Sequence, residues 1–390
     1  MGPSARRKNS EMAGVSRLSH SNARFALDLY RQLCTAKGNL FFSPFSISTV
    51  LAMTYAGARG DTARQMRQTL HFDMEGNLLH PAFSRLQEVL REVEQRGGIQ
   101  LKTASALWPH LDYPVLQEYL ALVQEAYSVR ITGLDYRKPE QARHEINDWV
   151  ADKTGRKITD LIPPGLLNAL TRLVLTNAIY FKGDWAVQFN PQNTADAPFW
   201  TAPGASVSIP LMTHEAEFGY AAAQGVQIIQ LPYVGGDLSM IVLLPDEVSG
   251  LAKVEQALTP VNLERWISLL RERLVQVSLP RIRLTGKFNL NEVLQSLGMV
   301  DAFSEEKADF SGIDGVGWLF ISAVLHKAFL EVNEEGSEAA AASAVVMDFR
   351  SAPVQSVVFR ADHPFIFMIY HKSSDSILFM GRVVEPNLTD

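Results

Sequence analysis

The order of two hydrophobic periodicities along this 390-residue chain is the feature that most constrains its fold. Apolar residues recur at helical spacing through much of the first hundred residues, as in Phe25, Leu29 and Leu33. From Ile99 onward, apolar runs of strand length predominate, without a regular alternation of strand and helix. Helices mainly first and strands mainly later predict an α+β fold with large mixed sheets.

Capping and turn signals divide the chain into individual elements. The first helix is expected to start at Ser21 or Asn22 and stop at Gly38, and Ser43 followed by Pro44 predicts the start of a second. Further helices are predicted near residues 62–70 and 83–93. Strands are predicted at residues 99–108 and 173–181, and hairpins at residues 228–244 and 365–384.

Composition and charge exclude several classes of function. With 47% hydrophobic and 20% charged residues, the chain is expected to be a soluble globular protein with a large core. A net charge of -6 argues against nucleic-acid or heparin partners, which need clustered cations. No apolar run reaches the roughly 18 residues of a membrane span, so no membrane partner is expected. We expect a monomer.

The first residues and the single cysteine bear on domain boundaries and compartment. Cys34 is alone, so no intrachain disulfide and no thiolate zinc site can form. The first 20 residues lack the apolar middle of a signal peptide, and residues 1–18 are interpreted as a flexible tail before a single domain at 19–390. A mature extracellular chain is the favoured interpretation, and a cytoplasmic location stays open.

The segment at residues 334–353 has conflicting local preferences. Its four alanines favour a helix, Val345 and Val346 favour a strand, and Gly336 and Pro353 mark breaks near its ends. A segment of this kind can adopt more than one conformation. On composition alone, a flexible surface loop is the simpler interpretation.

As a strand, this segment would present two different faces. Odd positions from 337 to 347 carry no charge, whereas Glu338 and Asp348 fall at even positions. Inserting about ten residues between two neighbouring strands would add a similar number of hydrogen bonds at roughly 1 kcal/mol each, together with apolar burial. A fold that withholds the strand therefore stores on the order of 10 kcal/mol.

Motifs on both sides of this segment resemble those of the serpin family. The run from EVN (331–333) through Ser343 is similar to the family's proximal hinge, and FRADHPFIF (359–367) resembles its C-terminal signature. The resemblance covers nearly the whole chain, through NLFFSP (39–44), LTNAIYFKG (175–183), HKA (326–328) and FMGR (379–382). It implies three β-sheets, about nine helices and an exposed reactive-centre loop at about residues 334–358.

The resemblance also implies which peptide bond is presented to a protease. The hinge glycine of serpins usually lies fourteen residues before the residue that fills the protease's primary pocket, and counting from Gly336 reaches Arg350, then Ser351. Arginine pairs well with a carboxylate at the base of a trypsin-like pocket. The implied function is a suicide inhibitor that is cleaved at Arg350-Ser351, inserts its loop into the central sheet and traps a trypsin-like serine protease covalently.

Other positions match residues that control loop insertion in serpins. The hinge comprises Glu334, Gly336, Ser337, Glu338, Ala339, Ala340, Ala341, Ala342 and Ser343. The shutter, a polar network beneath the central sheet, corresponds to Ser43, Ser46, Asn177 and His326. The breach, at the top of that sheet, corresponds to Trp185, Arg281 and Glu334, and an ion pair is predicted between the last two.

Three alternatives differ in class from a serine protease inhibitor. An enzyme is disfavoured because the chain has no GxSxG, HExxH, CxxC, Walker A or post-strand GxGxxG motif, and we expect no catalytic residue, metal or other cofactor. A non-inhibitory binding protein or chaperone with the same fold stays open, although Ser337 and the alanines argue against it. Phe349 beside Arg350 would also permit inhibition of a cysteine protease.

Overall fold

The computed structural model describes residues 3–127, 129–337 and 356–386. Helices within these ranges lie mainly in the first half of the chain, as the sequence predicts. The described α-helices are α1 (Pro3–Leu33), α2 (Pro44–Gly57), α3 (Gly60–Thr69), α4 (Gly76–Gln95), α5 (Gln117–Tyr127), α6 (Pro139–Lys153), α7 (Leu251–Ala257), α8 (Pro260–Ser268), α9 (Asn291–Ser296) and α10 (Ser311–Asp314).

Strands dominate the described chain after α6. They are β1 (Leu40–Phe42), β2 (Ile99–Pro109), β3 (Arg130–Ile131), β4 (Leu173–Asp184), β5 (Thr194–Ala202), β6 (Ala205–Ala223), β7 (Val226–Pro232), β8 (Leu238–Pro245), β9 (Arg271–Pro280), β10 (Ile282–Asn289), β11 (Ile321–Val332), β12 (Gly336–Ser337), β13 (Val357–Arg360), β14 (Phe365–His371) and β15 (Ser376–Val383). Short 3₁₀ turns occur at Pro191–Asn193 and Asp301–Phe303.

The first helix begins earlier than the sequence pattern predicted. It extends back to Pro3, so the tail expected through residue 18 is at least partly helical. Val15 and Leu18 continue the apolar stripe and are fully buried, which gives this part of the chain a reason to be helical. Asn22, expected as a cap, lies inside the helix and accepts a 2.7 Å hydrogen bond from the Ser48 hydroxyl of α2.

The predicted start of α2 is confirmed. The Ser43 hydroxyl accepts a hydrogen bond from the Ser46 amide at 3.2 Å, and Pro44 occupies the first turn. Nearly every residue of α2 is buried. The helix therefore passes through the interior of the molecule, where its first turn can contact the underside of a sheet.

A six-stranded sheet contains the two strands that border the candidate site. Its order is β10-β11-β4-β2-β3, with β12 paired to β4 outside that path. β4 and β11 are parallel neighbours in its centre. The predicted strand at residues 173–181 is confirmed within β4, and its near-continuous burial agrees with coverage on both faces. On one face α6 packs over β2 and β4, and on the other lie α2 and α4.

The remaining strands form a nine-stranded network that contains both predicted hairpins. β7 and β8 pair around Gly235 and Gly236, which have the positive φ angles of 88° and 73° that this turn needs. The other hairpin joins β14 and β15. The 19-residue strand β6 pairs with β5 over its first half and with β7 over its last residues. The serpin resemblance implies three sheets. Because β6 runs without a break from one of them into another, the described strands form two hydrogen-bonded networks.

Candidate functional site

The parallel neighbours β4 and β11 meet along a line that we call the seam. Their described ladder runs from Leu173 beside Ile321 to Tyr180 beside Phe329. β4 then continues to Asp184, and its opposite edge stays paired with β2 as far as Gly183. Beyond Tyr180, the edge of β4 that faces β11 is therefore available to another strand.

That edge is occupied by the two-residue strand β12. The chain leaves β11, reverses, and pairs antiparallel with β4 through Gly336 beside Asp184 and Ser337 beside Gly183. Because β2 occupies the other edge of β4 at Gly183, β12 must lie on the β11 side. A strand that continued from Ser337 in this direction would next reach Lys182 and then the top of the seam.

The reversal between β11 and β12 depends on two residues. The Asn333 carboxamide oxygen accepts hydrogen bonds from the Glu335 and Gly336 amides at 3.1 and 3.3 Å, which closes the turn. Gly336 has a φ of 148°, and a β-carbon there would overlap the Gly183 carbonyl oxygen and lie 2.6 Å from the Asp184 α-carbon. Only glycine fits this close approach of two backbones.

A charged group fixes the turn to the neighbouring sheet, and the predicted ion pair is present in it. Both nitrogens Nε and Nη2 of Arg281 donate to the Glu334 carboxylate, at distances of 2.6–3.0 Å. The Thr194 hydroxyl donates to the same carboxylate at 2.5 Å. Burial raises the pKa of Glu334, but these hydrogen bonds outweigh it and hold the pKa below its ordinary range.

Trp185 packs beneath the same turn. Its indole nitrogen donates to the Asn333 carbonyl at 3.0 Å, and its backbone amide donates to the Glu335 carbonyl at 2.9 Å. The buried indole stacks on the Tyr233 ring with centroids 4.6 Å apart. We call Arg281, Glu334, Thr194, Trp185 and Asn333 the turn cluster. It brings together all three residues predicted for the breach.

A second polar group lies halfway down the seam. Cross-strand register places Ser105 of β2, Asn177 of β4, His326 of β11 and Phe288 of β10 in one row across the sheet. His326 Nδ1 and the Asn177 carboxamide oxygen are 2.6 Å apart, and this hydrogen bond crosses the seam directly. The Asn177 amide nitrogen also donates to the Ser105 hydroxyl at 2.8 Å.

The first turn of α2 completes this group from below. The Asn177 amide nitrogen donates to the Ser46 hydroxyl and to the Ser46 carbonyl. The Ser43 amide donates to His326 Nε2 at 3.1 Å, and the Ser43 hydroxyl donates to the Leu378 carbonyl at 2.6 Å. We call Ser43, Ser46, Ser105, Asn177 and His326 the mid-sheet cluster. It brings together all four residues predicted for the shutter.

The hydrogen bonds of His326 define its protonation. Nε2 faces an amide donor and must accept, so the proton is on Nδ1 and is donated to Asn177. The side chain is fully buried, and burial lowers its pKa from 6.5 to about 3. The imidazole is therefore neutral at physiological pH, and its role is to join β11 to β4 and α2.

Most residues of the predicted loop lie outside the described residues. These are the reactive bond Arg350-Ser351 and the hinge positions Glu338, Ala339, Ala340, Ala341, Ala342 and Ser343. Glu334, Gly336 and the backbone of Ser337 are described. β12 lies at the start of the predicted loop, and β13, which is paired parallel with β9, begins at its end.

Thr194 and Ser105 were not predicted as site residues. Thr194 is 140 positions from Glu334, and nothing in its local sequence indicates that the two meet. Ser105 could have been found, because it is a polar residue between two buried alanines in a predicted strand. A polar side chain in such a position needs a partner, and here Asn177 provides it.

With this geometry in place, comparison with known proteins decides the family. The serpin family profile, described as serine protease inhibitor, matches residues 20–386. This chain belongs to the serpin family. The α+β serpin fold predicted from the sequence is confirmed, since Serpin48 of the insect Tenebrio molitor has a crystal structure matching at a TM-score of 0.85 and 34% identity, over 95% of this chain and 98% of that one.

Curated relatives are similar over nearly the full length of this serpin. Leukocyte elastase inhibitor of Bos taurus is 44% identical over 387 residues, which cover 95% of this chain and 100% of the relative. Antithrombin-III of Mus musculus is 41% identical over 95% of this chain and 82% of its own. The extracellular location favoured from the sequence gains no support from these comparisons.

The described residues contain neither a helix suited to span a membrane nor a group of side chains suited to bind a metal ion. None of the helices within residues 3–127, 129–337 and 356–386 is long and apolar enough to cross a membrane. In the same part of this serpin, no three His, Cys, Asp or Glu side chains are grouped so that they could hold a metal ion.

Proposed function

We propose that this serpin is a single-domain, single-use inhibitor of trypsin-like serine proteases with Arg350-Ser351 as its reactive bond, and that its domain extends N-terminal to the expected boundary at residue 19 to include Val15 and Leu18. The observation that supports the proposal most strongly is the pairing of β12 with β4. The chain that leads to Arg350 already starts as an antiparallel strand on β4, directed at the top of the seam. The same segment can therefore lengthen that strand once it is free to do so.

Cleavage would provide that freedom. The serine hydroxyl of the protease adds to the carbonyl carbon of Arg350, and its proton passes to the protease's own base. The peptide bond then breaks, Ser351 leaves with a free amino group, and Arg350 stays esterified to the protease. The residues after Ser337 are no longer tied to β13 and extend β12 between β4 and β11, which carries the attached protease along.

The energy for this step comes from the new strand. About ten additional residue pairs at roughly 1 kcal/mol for each hydrogen bond supply on the order of 10 kcal/mol before apolar burial is counted. The seam opposes this insertion, because the hydrogen bond between His326 and Asn177 must break before β4 and β11 can separate. We infer that the mid-sheet cluster acts as the shutter and the turn cluster as the breach.

Protease class is proposed from Arg350 itself. A guanidinium makes two parallel hydrogen bonds to a carboxylate, which suits the acidic primary pocket of trypsin-like enzymes. Both curated relatives named above support protease inhibition as the general activity, since one is named an elastase inhibitor and the other antithrombin. The choice of a trypsin-like target rests on the arginine and on the fourteen-residue count from Gly336.

The first test replaces Arg350. We expect Arg350→Ala to lower the rate constant for trypsin inhibition at least a hundredfold, because the pocket's carboxylate loses its partner. Arg265→Ala, on an exposed part of α8, is the matched control and should leave the rate unchanged. Equal inhibition by the Arg350→Ala protein would contradict the assigned reactive bond, and preferential trapping of a cysteine protease would contradict the protease class.

The second test addresses β12. In Gly336→Ala the β-carbon would overlap the Gly183 carbonyl, so the strand could not start on β4. We expect cleavage at Arg350 to continue while covalent trapping falls at least tenfold. Gly204→Ala is the control, because Gly204 also has a positive φ of 81° but no atom lies within 4 Å of an added β-carbon. Unimpaired trapping by Gly336→Ala would contradict insertion along β4.

A further inference from the structure

A cleft between α4 and the sheet takes no part in the function proposed above. Its volume is about 120 Å³, and its floor is formed by Phe45 of α2, Leu90 of α4, Ile179 of β4 and Leu378 of β15. An apolar cavity of roughly 150 Å³ is known to be large enough for benzene. This cleft is smaller than that cavity, but it adjoins a second cleft, so one small ring or a short alkyl chain can lie on its floor with its polar end outside.

Two donor side chains at the mouth of the cleft have no acceptor. The amide nitrogen of Gln87 is buried and has no hydrogen-bond partner. Arg91, one helical turn further along α4, is exposed to water and makes no hydrogen bond or ion pair with any residue that the structure describes. Glu94 also lines the cleft, and its Oε1 accepts a 2.8 Å hydrogen bond from the Leu101 amide, but neither Gln87 nor Arg91 donates to it. A buried donor without an acceptor carries a desolvation cost that a bound acceptor would remove.

The surroundings define the charge of such an acceptor. A more polar cleft of about 230 Å³ adjoins the first and shares Gln87 and Arg91 in its lining. Glu88 and Glu125 also line this outer cleft. Glu88 is ion-paired with Arg85 at 2.6 Å, whereas Glu94 in the inner cleft and Glu125 in the outer one would repel a ligand with a second anionic group. A single carboxylate would be balanced by Arg91.

We propose that the inner cleft binds a small monocarboxylate with an apolar body. The ring or chain lies on the floor between Phe45 and Leu378, and the carboxylate accepts hydrogen bonds from Gln87 and Arg91. The residues that line the cleft belong to neither the turn cluster nor the mid-sheet cluster. Only binding is claimed for it.

Isothermal titration of the full chain with benzoate tests the proposal, with benzyl alcohol as the neutral analogue. We expect one benzoate per chain and at least tenfold weaker binding of the alcohol, which lacks the charge that Arg91 would pair with. Arg91→Gln should weaken benzoate at least tenfold without lowering the unfolding temperature of the free protein. Arg64→Gln is the control, because Arg64 is an exposed arginine that pairs with Asp61 away from the cleft.

Methyl NMR spectra locate the ligand independently of these variants. The methyl signals of Ile179 and Leu378 should shift on addition of benzoate, whereas those of the exposed Leu269 should not. The proposal is wrong if no saturable binding is seen at concentrations on the order of 10 mM. It is equally wrong if Arg91→Gln and Arg64→Gln bind benzoate alike, or if the shifted methyls lie elsewhere.

Discussion

The turn cluster and the mid-sheet cluster both border the seam between β4 and β11, but they differ in chemistry. The turn cluster contains an ion pair whose arginine is 40% exposed, so water still solvates part of its charge. The mid-sheet cluster is neutral, and its histidine and asparagine are almost completely buried. A charged pair near water tolerates the loss of a partner, whereas a buried neutral network does not.

This difference also sets how each cluster responds to acid. A buried neutral histidine resists protonation, so its contribution to stability starts to fall at the pKa of the unfolded chain, near 6.5. A hydrogen-bonded glutamate keeps its contribution until the pH falls below its ordinary pKa of 4.5. Mild acid therefore weakens the middle of the seam before it weakens the turn.

The largest effect is expected for Asn177→Ala. The substitution removes the hydrogen bond that crosses the seam and leaves His326 Nδ1 and the Ser46 hydroxyl without their partner. We expect the free energy of unfolding to fall by about 3 kcal/mol or more, measured by urea denaturation. Asn193→Ala, at an exposed position, serves as the control. If Asn177→Ala lowered the free energy of unfolding no more than Asn193→Ala does, the buried neutral cluster would not be the more sensitive of the two.

The next effect is the pH dependence carried by His326. Its folded pKa of about 3 lies below the unfolded value of 6.5, so the unfolded chain binds a proton that the folded chain does not, and stability falls as the pH decreases through this window. Between pH 7 and pH 5 the loss should be about 2 kcal/mol. The His326→Gln protein should lack this part of the loss, because it has no imidazole to titrate at this position.

His144→Gln is the matched control for that measurement, since His144 is exposed on α6. Other buried histidines, such as His80 with a pKa lowered to about 4, are retained in both variants and cancel in the comparison. A wild-type slope that survives unchanged in His326→Gln would show that the mid-sheet cluster is not the acid-sensitive part of the seam.

The smallest effect is expected for Glu334→Ala in the turn cluster. Breaking a fully buried ion pair costs roughly 3–5 kcal/mol, but Arg281 can regain water because of its exposure. We expect a loss of about 1–2 kcal/mol at pH 7. Because the folded pKa of Glu334 is lowered, the difference from wild type should persist down to about pH 4.5 and shrink below it. A loss larger than that of Asn177→Ala would reverse the comparison.

Whether the sequence predicts a structural feature depends on how far apart along the chain its residues lie. The cap at Ser43 and the hairpin at Gly235 follow from residues within a few positions of one another, and both were predicted correctly. The start of α1 was placed too late, because a polar segment hid the two apolar residues Val15 and Leu18 that pack in the core.

The two clusters show where such prediction stops. Their members come from separate strands, and the family resemblance indicated most of them although no local pattern did. Thr194 was missed because its partner Glu334 is distant in sequence and the two are joined only by how β5 and the turn pack. Likewise, nothing local indicates that β6 runs unbroken for 19 residues between two sheets. Contacts of this kind depend on the folded topology.

The most direct test of the account mixes the protein with trypsin at equal molarity and examines the products by denaturing gel and intact mass. We predict a band at the summed mass of trypsin and the chain up to Arg350, stable in denaturant, together with a released peptide that begins at Ser351. Cleavage at Arg350 without a stable complex would contradict covalent trapping, and absence of cleavage there would contradict the assigned reactive bond.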